Sequence, residues 1–189
     1  MLAAILMECP TEELVVADDV TLRDMAPGDV KVKIAHSGVC HSDLSAMNGT
    51  IPQAPPAVLG HEGAGVVTDV GDGVTHVVPG DHVIIAFSPP CGTCPFCTGR
   101  NQPNLCINGL IAMGSNPQFR RGDTVVGAMT GCGTFAEETI VPGMAAIKID
   151  KDVPLDVAAL VGCGVTTGVG AALNTAKVTP GSSVLVIGA

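Results

Sequence analysis

Short apolar segments alternate with turn residues through the first half of the chain. Turns such as Pro-Gly, Gly-Asp-Gly and Pro-Gly-Asp separate several of the apolar runs, which lie at residues 2–7, 14–16, 30–34, 65–70 and 82–87. Runs of this length bounded by such residues predict strands. Strand character returns at residues 134–141 and 146–149. Short strands at these intervals, without long helices between them, predict a mainly β barrel or sandwich.

Two segments of the chain break this pattern. Residues 89–133 are rich in Cys, Gly, Pro and Asn and show little periodicity, which predicts a long loop held by something other than a hydrophobic core. Residues 155–161 and 166–176 are small, apolar and compatible with helices. The run at 184–187 is apolar and β-branched, which is typical of a buried parallel strand.

Gly188 follows this last predicted strand directly. A dinucleotide-binding loop of the form G-x-G-x-x-G opens at such a position, although the chain contains only one glycine of that motif. We therefore expect one domain over residues 1–165, with a lobe at about 88–108. The start of a second domain is expected over residues 166–189.

Composition and charge narrow the possible partners. A net charge of −9 argues against binding to a nucleic-acid backbone or to an anionic membrane surface, and the absence of Trp and Tyr argues against base stacking. No apolar run approaches the ~20 residues needed to span a bilayer. The first 13 residues lack a basic region and are interpreted as a strand rather than a signal peptide, so the cytoplasm is the expected location.

Four of the eight cysteines stand close together. They follow one another with gaps of two, two and eight residues: Cys91, Cys94, Cys97 and Cys106. Two-residue gaps let a tight turn direct two thiolates at one ion, and four thiolates satisfy tetrahedral Zn²⁺ completely. The spacing therefore predicts a structural zinc site that orders the lobe. An iron–sulfur cluster uses similar spacings and is the alternative.

A second set of metal-binding residue types is spread along the chain. Cys40 lies in GVCHSD, His61 and Glu62 lie in GHEGAG, and Cys163 lies in GCGVTTG. Taken singly, each cysteine or histidine is compatible with an ordinary core residue. Together, two cysteines and one histidine leave a fourth position on zinc for water or substrate, as in catalytic zinc sites.

These motifs, in this order and over essentially the whole chain, resemble those of zinc-dependent medium-chain alcohol dehydrogenases. The resemblance implies a GroES-like β-barrel catalytic domain with a zinc lobe, followed by a Rossmann domain that binds NAD(P) and begins in the tail VTPGSSVLVIGA. It also implies two Zn²⁺ ions per chain. Cys40, His61 and Cys163 would hold the catalytic zinc.

The resemblance further implies roles for residues around that zinc. Asp43 would orient the histidine ligand, and Glu62 would approach the metal, with an ordinary turn carboxylate as the alternative. Ser42 would pass the substrate's proton toward solvent, and Ser45 stands where many relatives have the next histidine of the relay. The remaining residues would touch the cofactor (His41, Thr167 and Gly188) or line the substrate pocket (Phe87 and Met129). For His41 a surface histidine, and for the last two residues plain core, are the alternatives.

The implied function is the reversible oxidation of an alcohol to an aldehyde or ketone. Zinc would polarise the alcohol oxygen, and the hydride would pass to NAD(P)⁺. The intact protein is expected to be a homodimer or homotetramer, and residues 1–189 alone are expected to be inactive. A glutathione-dependent formaldehyde dehydrogenase, a polyol dehydrogenase or a non-catalytic zinc-stabilised binding module are the alternatives.

Overall fold

Two β-sheets form the body of the molecule in the computed structural model, which describes residues 1–112 and 116–187. The strands in these ranges are β1 (Ala3–Leu6), β2 (Val15–Ala17), β3 (Val20–Leu22), β4 (Asp29–Gly38), β5 (Ala57–Val58), β6 (Glu62–Val70), β7 (His82–Ile85), β8 (Asn116–Arg121), β9 (Thr124–Ala128), β10 (Glu138–Pro142) and β11 (Ala146–Ile149). The predominance of strands confirms the predicted mainly β fold.

The strand order explains how the two sheets are built. One sheet has the order β2-β1-β5-β9-β8-β3 and the other the order β10-β4-β6-β7-β11. All neighbours are antiparallel except β5 and β9, which run parallel. The ladder between β4 and β6 extends from Val30 opposite Val70 to Gly38 opposite Glu62. Its far end therefore delivers Glu62 to one edge of the barrel.

Alternating side chains from these strands fill two main cores. Val30 and Val32 of β4 pack with Val83 and Ile85 of β7 in the second sheet. In the first sheet, Phe119 is the largest fully buried side chain. Because successive strand residues face opposite sides, these in-facing positions follow the two-residue period of the sequence.

Short helices lie between the strands, and two more come after the last strand. They are α1 (His41–Met47), α2 (Pro95–Thr98), α3 (Ile107–Ala112), α4 (Leu155–Ala159) and α5 (Gly164–Gly170), with 3₁₀ turns at Pro103–Leu105, Met129–Gly131, Gly143–Ala145 and Leu160–Gly162 and a π-helical turn at Ala171–Thr175. Among the described residues, no single helix is long and apolar enough to cross a membrane. The pair Leu155–Gly162 and Gly164–Thr175, bent by 53°, meets the length and composition requirement only when its two halves are combined.

The prediction of a long loop over residues 89–133 is wrong. Helices α2 and α3 and the hairpin of β8 and β9 lie within it. Strand β8 escaped detection because it carries a polar residue into the core. Gln118 is fully buried; its Nε2 donates to Gly131 O at 2.6 Å, and its Oε1 accepts from Thr139 Oγ1 at 3.2 Å. In the sequence, a polar residue such as Gln118 suggests an exposed position, even though its amide can be buried when it is hydrogen-bonded.

The strand predicted at residues 184–187 is also not observed. These residues form no strand, and their side chains are 61% to 87% exposed. A parallel strand is stable only when neighbouring strands supply its hydrogen bonds and helices cover its faces. Nothing in the described parts of the chain pairs with this segment. The residue predicted to open the dinucleotide loop, Gly188, lies outside the described residues.

Candidate metal centres

The first centre begins where β4 ends and α1 begins. Cys40 is the residue immediately before α1, with extended backbone angles. The carboxylate of Asp43, in the first turn of α1, accepts a hydrogen bond from Cys40 N at 2.9 Å through Oδ2. This contact fixes the turn that presents the Cys40 thiol, and it places a negative charge near the helix N-terminus, where it is stabilising.

The same carboxylate holds the segment that precedes β6. Asp43 Oδ1 accepts from Gly60 N at 3.0 Å and lies 3.4 Å from His61 Nδ1. Gly60 has φ +88°, and a Cβ there would come within 2.5 Å of the Phe135 ring and 2.8 Å of Phe135 N. Glycine is therefore required at the turn that directs His61 inward. Asp43 thus joins two ligand-bearing segments that are distant in sequence.

The three predicted ligands of the catalytic zinc lie close together in the structure, with Glu62 beside them. The ligand atoms of Cys40, His61, Glu62 and Cys163 all lie within 4.8 Å of one another. Tetrahedral zinc, with bonds of about 2.0–2.3 Å to nitrogen and sulfur, requires ligand separations of about 3.3–3.8 Å. The observed cluster is compatible with these distances after small side-chain adjustments. It therefore passes the geometric test for a metal site.

The histidine of this cluster supplies an independent sign of a metal ligand. His61 is buried, and its Nδ1 has no hydrogen bond among the described residues, since the 3.4 Å approach to Asp43 lacks hydrogen-bond geometry. A slight rotation would bring Nδ1 into contact with the carboxylate. The other ring nitrogen, Nε2, is then left for a metal, which is the usual arrangement of a ligating histidine and its carboxylate.

Glu62 is held beside the cluster by both neighbouring segments. Its Oε1 accepts a hydrogen bond from Gly164 N at 3.2 Å, at the start of α5. A Cβ at Gly38 would collide with Glu62 Oε2, so the glycine at the end of β4 leaves the space that this carboxylate occupies. Glu62 is therefore a buried carboxylate with defined contacts on both sides, and its approach to a metal stays a prediction.

The titrating groups of this centre influence one another. Burial is the largest influence on the pKa of His61 and lowers it, but Asp43 and Cys40 outweigh burial and the pKa is raised. Burial raises the pKa of Cys40, whereas hydrogen bonds from Ser42 and the proximity of His61 lower it more. Burial, followed by the charges of Cys40 and Glu62, raises the pKa of Cys163 to about 12. A bound cation would offset these negative charges and deprotonate both thiols.

The remaining predicted residues lie at different distances from the cluster. The hydroxyl of Ser42 is 3.6 Å from Cys40 Sγ, and the Phe87 ring packs edge-on against His61 with 5.8 Å between ring centroids. His41 is exposed, with Nδ1 3.3 Å from Ser45 Oγ. Thr167 is exposed on α5.

Met129, predicted as a pocket residue, is buried in a core cluster with Leu6, Ala46 and Leu59. Met129 therefore lies in the core, and its contact with substrate stays a prediction.

The second centre contains the four clustered cysteines. Their sulfur atoms all lie within 4.8 Å of one another, with 3.5 Å between Cys94 and Cys97 and 3.8 Å between Cys94 and Cys106. Four thiolates about 2.3 Å from one zinc ion are about 3.8 Å apart. The observed spacing therefore fits a closed tetrahedral site.

The hydrogen bonds around these four thiols are unequal. Hydrogen bonds from Thr93 and then from Cys94 N lower the pKa of Cys91 to about 5. The hydrogen bond from Cys97 N is the main reason that the pKa of Cys94 is lowered. Burial and the neighbouring sulfur of Cys94 raise the pKa of Cys97 to about 11. The lobe is thus prepared to hold some of its sulfurs as thiolates.

No pattern in the sequence pointed to Thr93 or Asn108 as contacts of this centre. Thr93 Oγ1 and Asn108 Nδ2 each lie 3.4 Å from Cys91 Sγ. Thr93 stands inside the first two-residue gap between cysteines, and Asn108 stands two residues after the last cysteine. Proximity to the ligands in sequence was the available signal, but it does not distinguish these residues from their neighbours.

Comparison with known proteins identifies what this arrangement resembles. Residues 26–151 match the family model described as alcohol dehydrogenase GroES-like domain. The chain is 46% identical to S-(hydroxymethyl)glutathione dehydrogenases of Escherichia coli and of Photobacterium damsela, in alignments that cover 87% of this chain and 47% of each relative. The chain therefore spans about half the length of the curated relatives it matches.

Solved structures show the same similarity in three dimensions. An alcohol dehydrogenase zinc-binding domain protein from Burkholderia ambifaria superimposes with a TM-score of 0.86 at 30% identity, covering 96% of this chain and 50% of that one. Benzyl alcohol dehydrogenase from Acinetobacter calcoaceticus superimposes with a TM-score of 0.83 at 31% identity, with the same coverage.

Proposed function

Because the chain belongs to the zinc alcohol dehydrogenase family of the medium-chain dehydrogenase/reductase superfamily and corresponds to its N-terminal portion, we propose that the whole protein is a zinc-dependent, NAD(P)-linked alcohol dehydrogenase. It interconverts a small alcohol with the corresponding aldehyde or ketone. The observation that supports this proposal most strongly is the convergence of Cys40, His61, Glu62 and Cys163 from three separate segments of the chain. With Cys40, His61 and Cys163 as the proposed ligands and Glu62 beside them, a fourth coordination position is left for substrate, which a binding module without catalysis does not need.

In this proposal Cys40, His61 and Cys163 hold a catalytic zinc. When bound, such an ion supplies a Lewis acid that favours the deprotonated form of an alcohol. The residues of this chain do the rest of the local work. Asp43 orients His61 and fixes the turn of Cys40 through its two backbone hydrogen bonds.

Proton movement is assigned to Ser42. Its hydroxyl lies 3.6 Å from Cys40 Sγ at the edge of the cluster and is half-buried, so it can exchange a proton between the metal site and solvent. His41 points its Nδ1 at Ser45 Oγ instead. Because Ser45 stands where many relatives have the next histidine of the relay, the step after Ser42 is proposed to pass through water. Phe87, packed against His61, keeps one side of the site dry.

The four-cysteine lobe is proposed to hold the second zinc. Four sulfur ligands close the coordination sphere, so this ion serves to order the chain between residues 88 and 108 and takes no part in the reaction. The sulfur separations of 3.5 and 3.8 Å support zinc here. An iron–sulfur cluster places its cysteine sulfurs around several iron atoms and hence farther apart.

Within this proposal one specific substrate is favoured, S-(hydroxymethyl)glutathione. The curated relatives at 46% identity are S-(hydroxymethyl)glutathione dehydrogenases, whereas the similar solved structure from Acinetobacter is a benzyl alcohol dehydrogenase.

The cofactor is proposed to bind partly through residues of this chain. We place His41, Thr167 and Gly188 at the nicotinamide cofactor, and residues 166–189 at the beginning of the domain that binds it. A cytoplasmic homodimer or homotetramer is the proposed form of the protein.

A kinetic screen of the zinc-loaded protein at its natural length tests this function. NAD⁺ and NADP⁺ reduction is followed with aliphatic alcohols, benzyl alcohol, polyols and S-(hydroxymethyl)glutathione, in the wild type and in the Cys163→Ala variant. Turnover that Cys163→Ala abolishes supports the proposal, and turnover restricted to S-(hydroxymethyl)glutathione narrows it to that class. Absence of turnover with every substrate contradicts it.

A further inference from the structure

Hydrogen-bond donors converge on one sulfur of the four-cysteine lobe. Cys91 Sγ accepts from Thr93 N at 3.5 Å, from Thr93 Oγ1 at 3.4 Å, from Cys94 N at 3.3 Å and from Asn108 Nδ2 at 3.4 Å. Thr93 and Cys94 belong to the same turn as Cys91. Asn108 reaches the sulfur from α3, 17 residues farther along the chain. Its side chain is therefore the one long-range donor among the four.

The charge of a zinc-loaded lobe explains why such donors matter. Four thiolates around Zn²⁺ carry a formal charge of −2, because four negative charges exceed the two positive charges of the ion. Between residues 83 and 119 the sequence contains one charged side chain, Arg100, in a protein whose net charge is −9. The Arg100 guanidinium lies over the Phe96 ring, 5.0 Å from its centroid. Within this stretch of the chain, the sulfurs are therefore compensated mainly by neutral N–H and O–H groups.

The position of Asn108 also couples the metal to α3. Cys106 Sγ accepts from Gly109 N at 3.3 Å, so two consecutive residues of this helix donate to two different sulfurs. The backbone donor is set by the fold, whereas the side-chain donor depends on residue type. A charge-assisted hydrogen bond to sulfur stabilises the thiolate and restricts its orientation.

We propose that Asn108 is a positioning residue for the zinc of the four-cysteine lobe, acting through its side-chain hydrogen bond to the sulfur of Cys91. This inference rests on the proposed function in one respect, since it takes the ion of the lobe to be zinc. Asn108 is exposed. Substitutions there leave no core cavity and no buried group without a partner, so the folded chain tolerates them.

The test compares the zinc affinity of the lobe in matched variants. Zinc is titrated against a chromophoric chelator in the wild type, Asn108→Ala, Asn108→Asp and Asn108→Lys, with Asn104→Ala as the control. Asn104 is an exposed asparagine of the same lobe whose side chain makes no hydrogen bond within the described residues. The series is repeated in the Cys163→Ala background to separate the lobe from the other centre.

The expected order follows from donor capacity and charge. Asn108→Ala lowers zinc affinity by about tenfold, the lower end of the effect seen when outer hydrogen-bond partners of metal ligands are removed. Asn108→Asp lowers it further, because a carboxylate replaces the donor and adds negative charge. Asn108→Lys retains affinity, because an ammonium group donates and compensates charge. Asn104→Ala has no effect.

A spectroscopic measurement separates this role from a merely structural one. With Co²⁺ in the lobe, loss of a hydrogen bond raises the energy of the sulfur electrons, so the thiolate-to-cobalt charge-transfer band of Asn108→Ala moves to longer wavelength. Weaker binding together with this shift supports the inference. Unchanged affinity in Asn108→Ala and Asn108→Asp, or weaker binding without a shift, overturns the inference alone. A wild-type lobe that binds no zinc overturns the inference and the assignment of zinc to this lobe, whereas the proposed reaction, which depends on the other centre, fails only if the kinetic screen shows no turnover.

Discussion

Removal of the Asp43 carboxylate is expected to weaken the fold and the first metal centre together. Asp43 is 2% exposed, and it accepts hydrogen bonds from Cys40 N and Gly60 N at 2.9 and 3.0 Å. In Asp43→Ala both backbone donors lose their partner. A buried donor without a partner costs about 1–3 kcal/mol. The Gly60 donor is buried and the Cys40 donor only partly buried, so the free energy of unfolding should fall by about 1–4 kcal/mol. That is a large share of a typical domain stability of about 5–15 kcal/mol.

The assay has to separate this structural effect from the loss of metal. Unfolding in urea is followed by far-UV circular dichroism in the presence of a chelator, because the chain has no Trp or Tyr for fluorescence. Asp43→Asn is the milder companion variant, since its amide still accepts one of the two hydrogen bonds. Asp152→Asn is the control, because Asp152 is exposed and its side chain makes no hydrogen bond among the residues described.

A metal-free Asp43→Ala protein whose free energy of unfolding lies within about 1 kcal/mol of that of the wild type would contradict this prediction, since one buried and one partly buried donor without partners should together cost more than that. A second prediction concerns zinc. When both proteins are folded, Asp43→Asn should bind zinc at the proposed site of Cys40, His61 and Cys163 about 10–100-fold more weakly than the wild type, because His61 loses the carboxylate that orients it. Equal affinity would show that the 3.4 Å approach of these two residues has no role in binding.

Three further predictions concern the barrel. Phe119→Ala, which empties the largest fully buried side-chain site, should cost about 3–5 kcal/mol of unfolding free energy in urea, and a cost below about 1 kcal/mol would contradict the assigned core. Gly65→Ala would force a Cβ into the backbone oxygen of Lys33, so little folded protein should form, whereas wild-type thermal stability would disprove that close approach. The hydrogen bond from Lys148 lowers the pKa of Asp81, so its stabilisation is present above about pH 4 and is lost as the pH falls through the lowered pKa. Lys148→Met should therefore be less stable than the wild type at about pH 7 but equal to it at about pH 2; a gap that persists at the lower pH would argue against the ion pair.

The sequence was most informative where residue type and spacing both constrained the chemistry. The four clustered cysteines could be assigned because short gaps limit how far their sulfurs can separate. Cys40, His61 and Cys163 required the family resemblance, because no local spacing connects residues that are more than 20 positions apart. The structure brings these three together with Glu62 through the ladder between β4 and β6 and the turn at Gly60.

Other features depended on tertiary contacts that the local pattern does not encode. Strand β8 was missed because Gln118 satisfies its amide inside the core. Helix α1 was missed because a seven-residue helix shows too little periodicity, and its position depends on Asp43. The run at 184–187 has strong strand character but forms no strand, because pairing requires a neighbour as well as propensity.

The most direct test of the two-metal account is a count of bound zinc by elemental mass spectrometry on the chain purified without chelators. The account predicts two zinc ions in the wild type and one in each of Cys94→Ala and Cys163→Ala, since each substitution removes a ligand from a different cluster. A single zinc that is lost only in Cys94→Ala would contradict it. In that result Cys40, His61 and Cys163 would not form a zinc site in this chain.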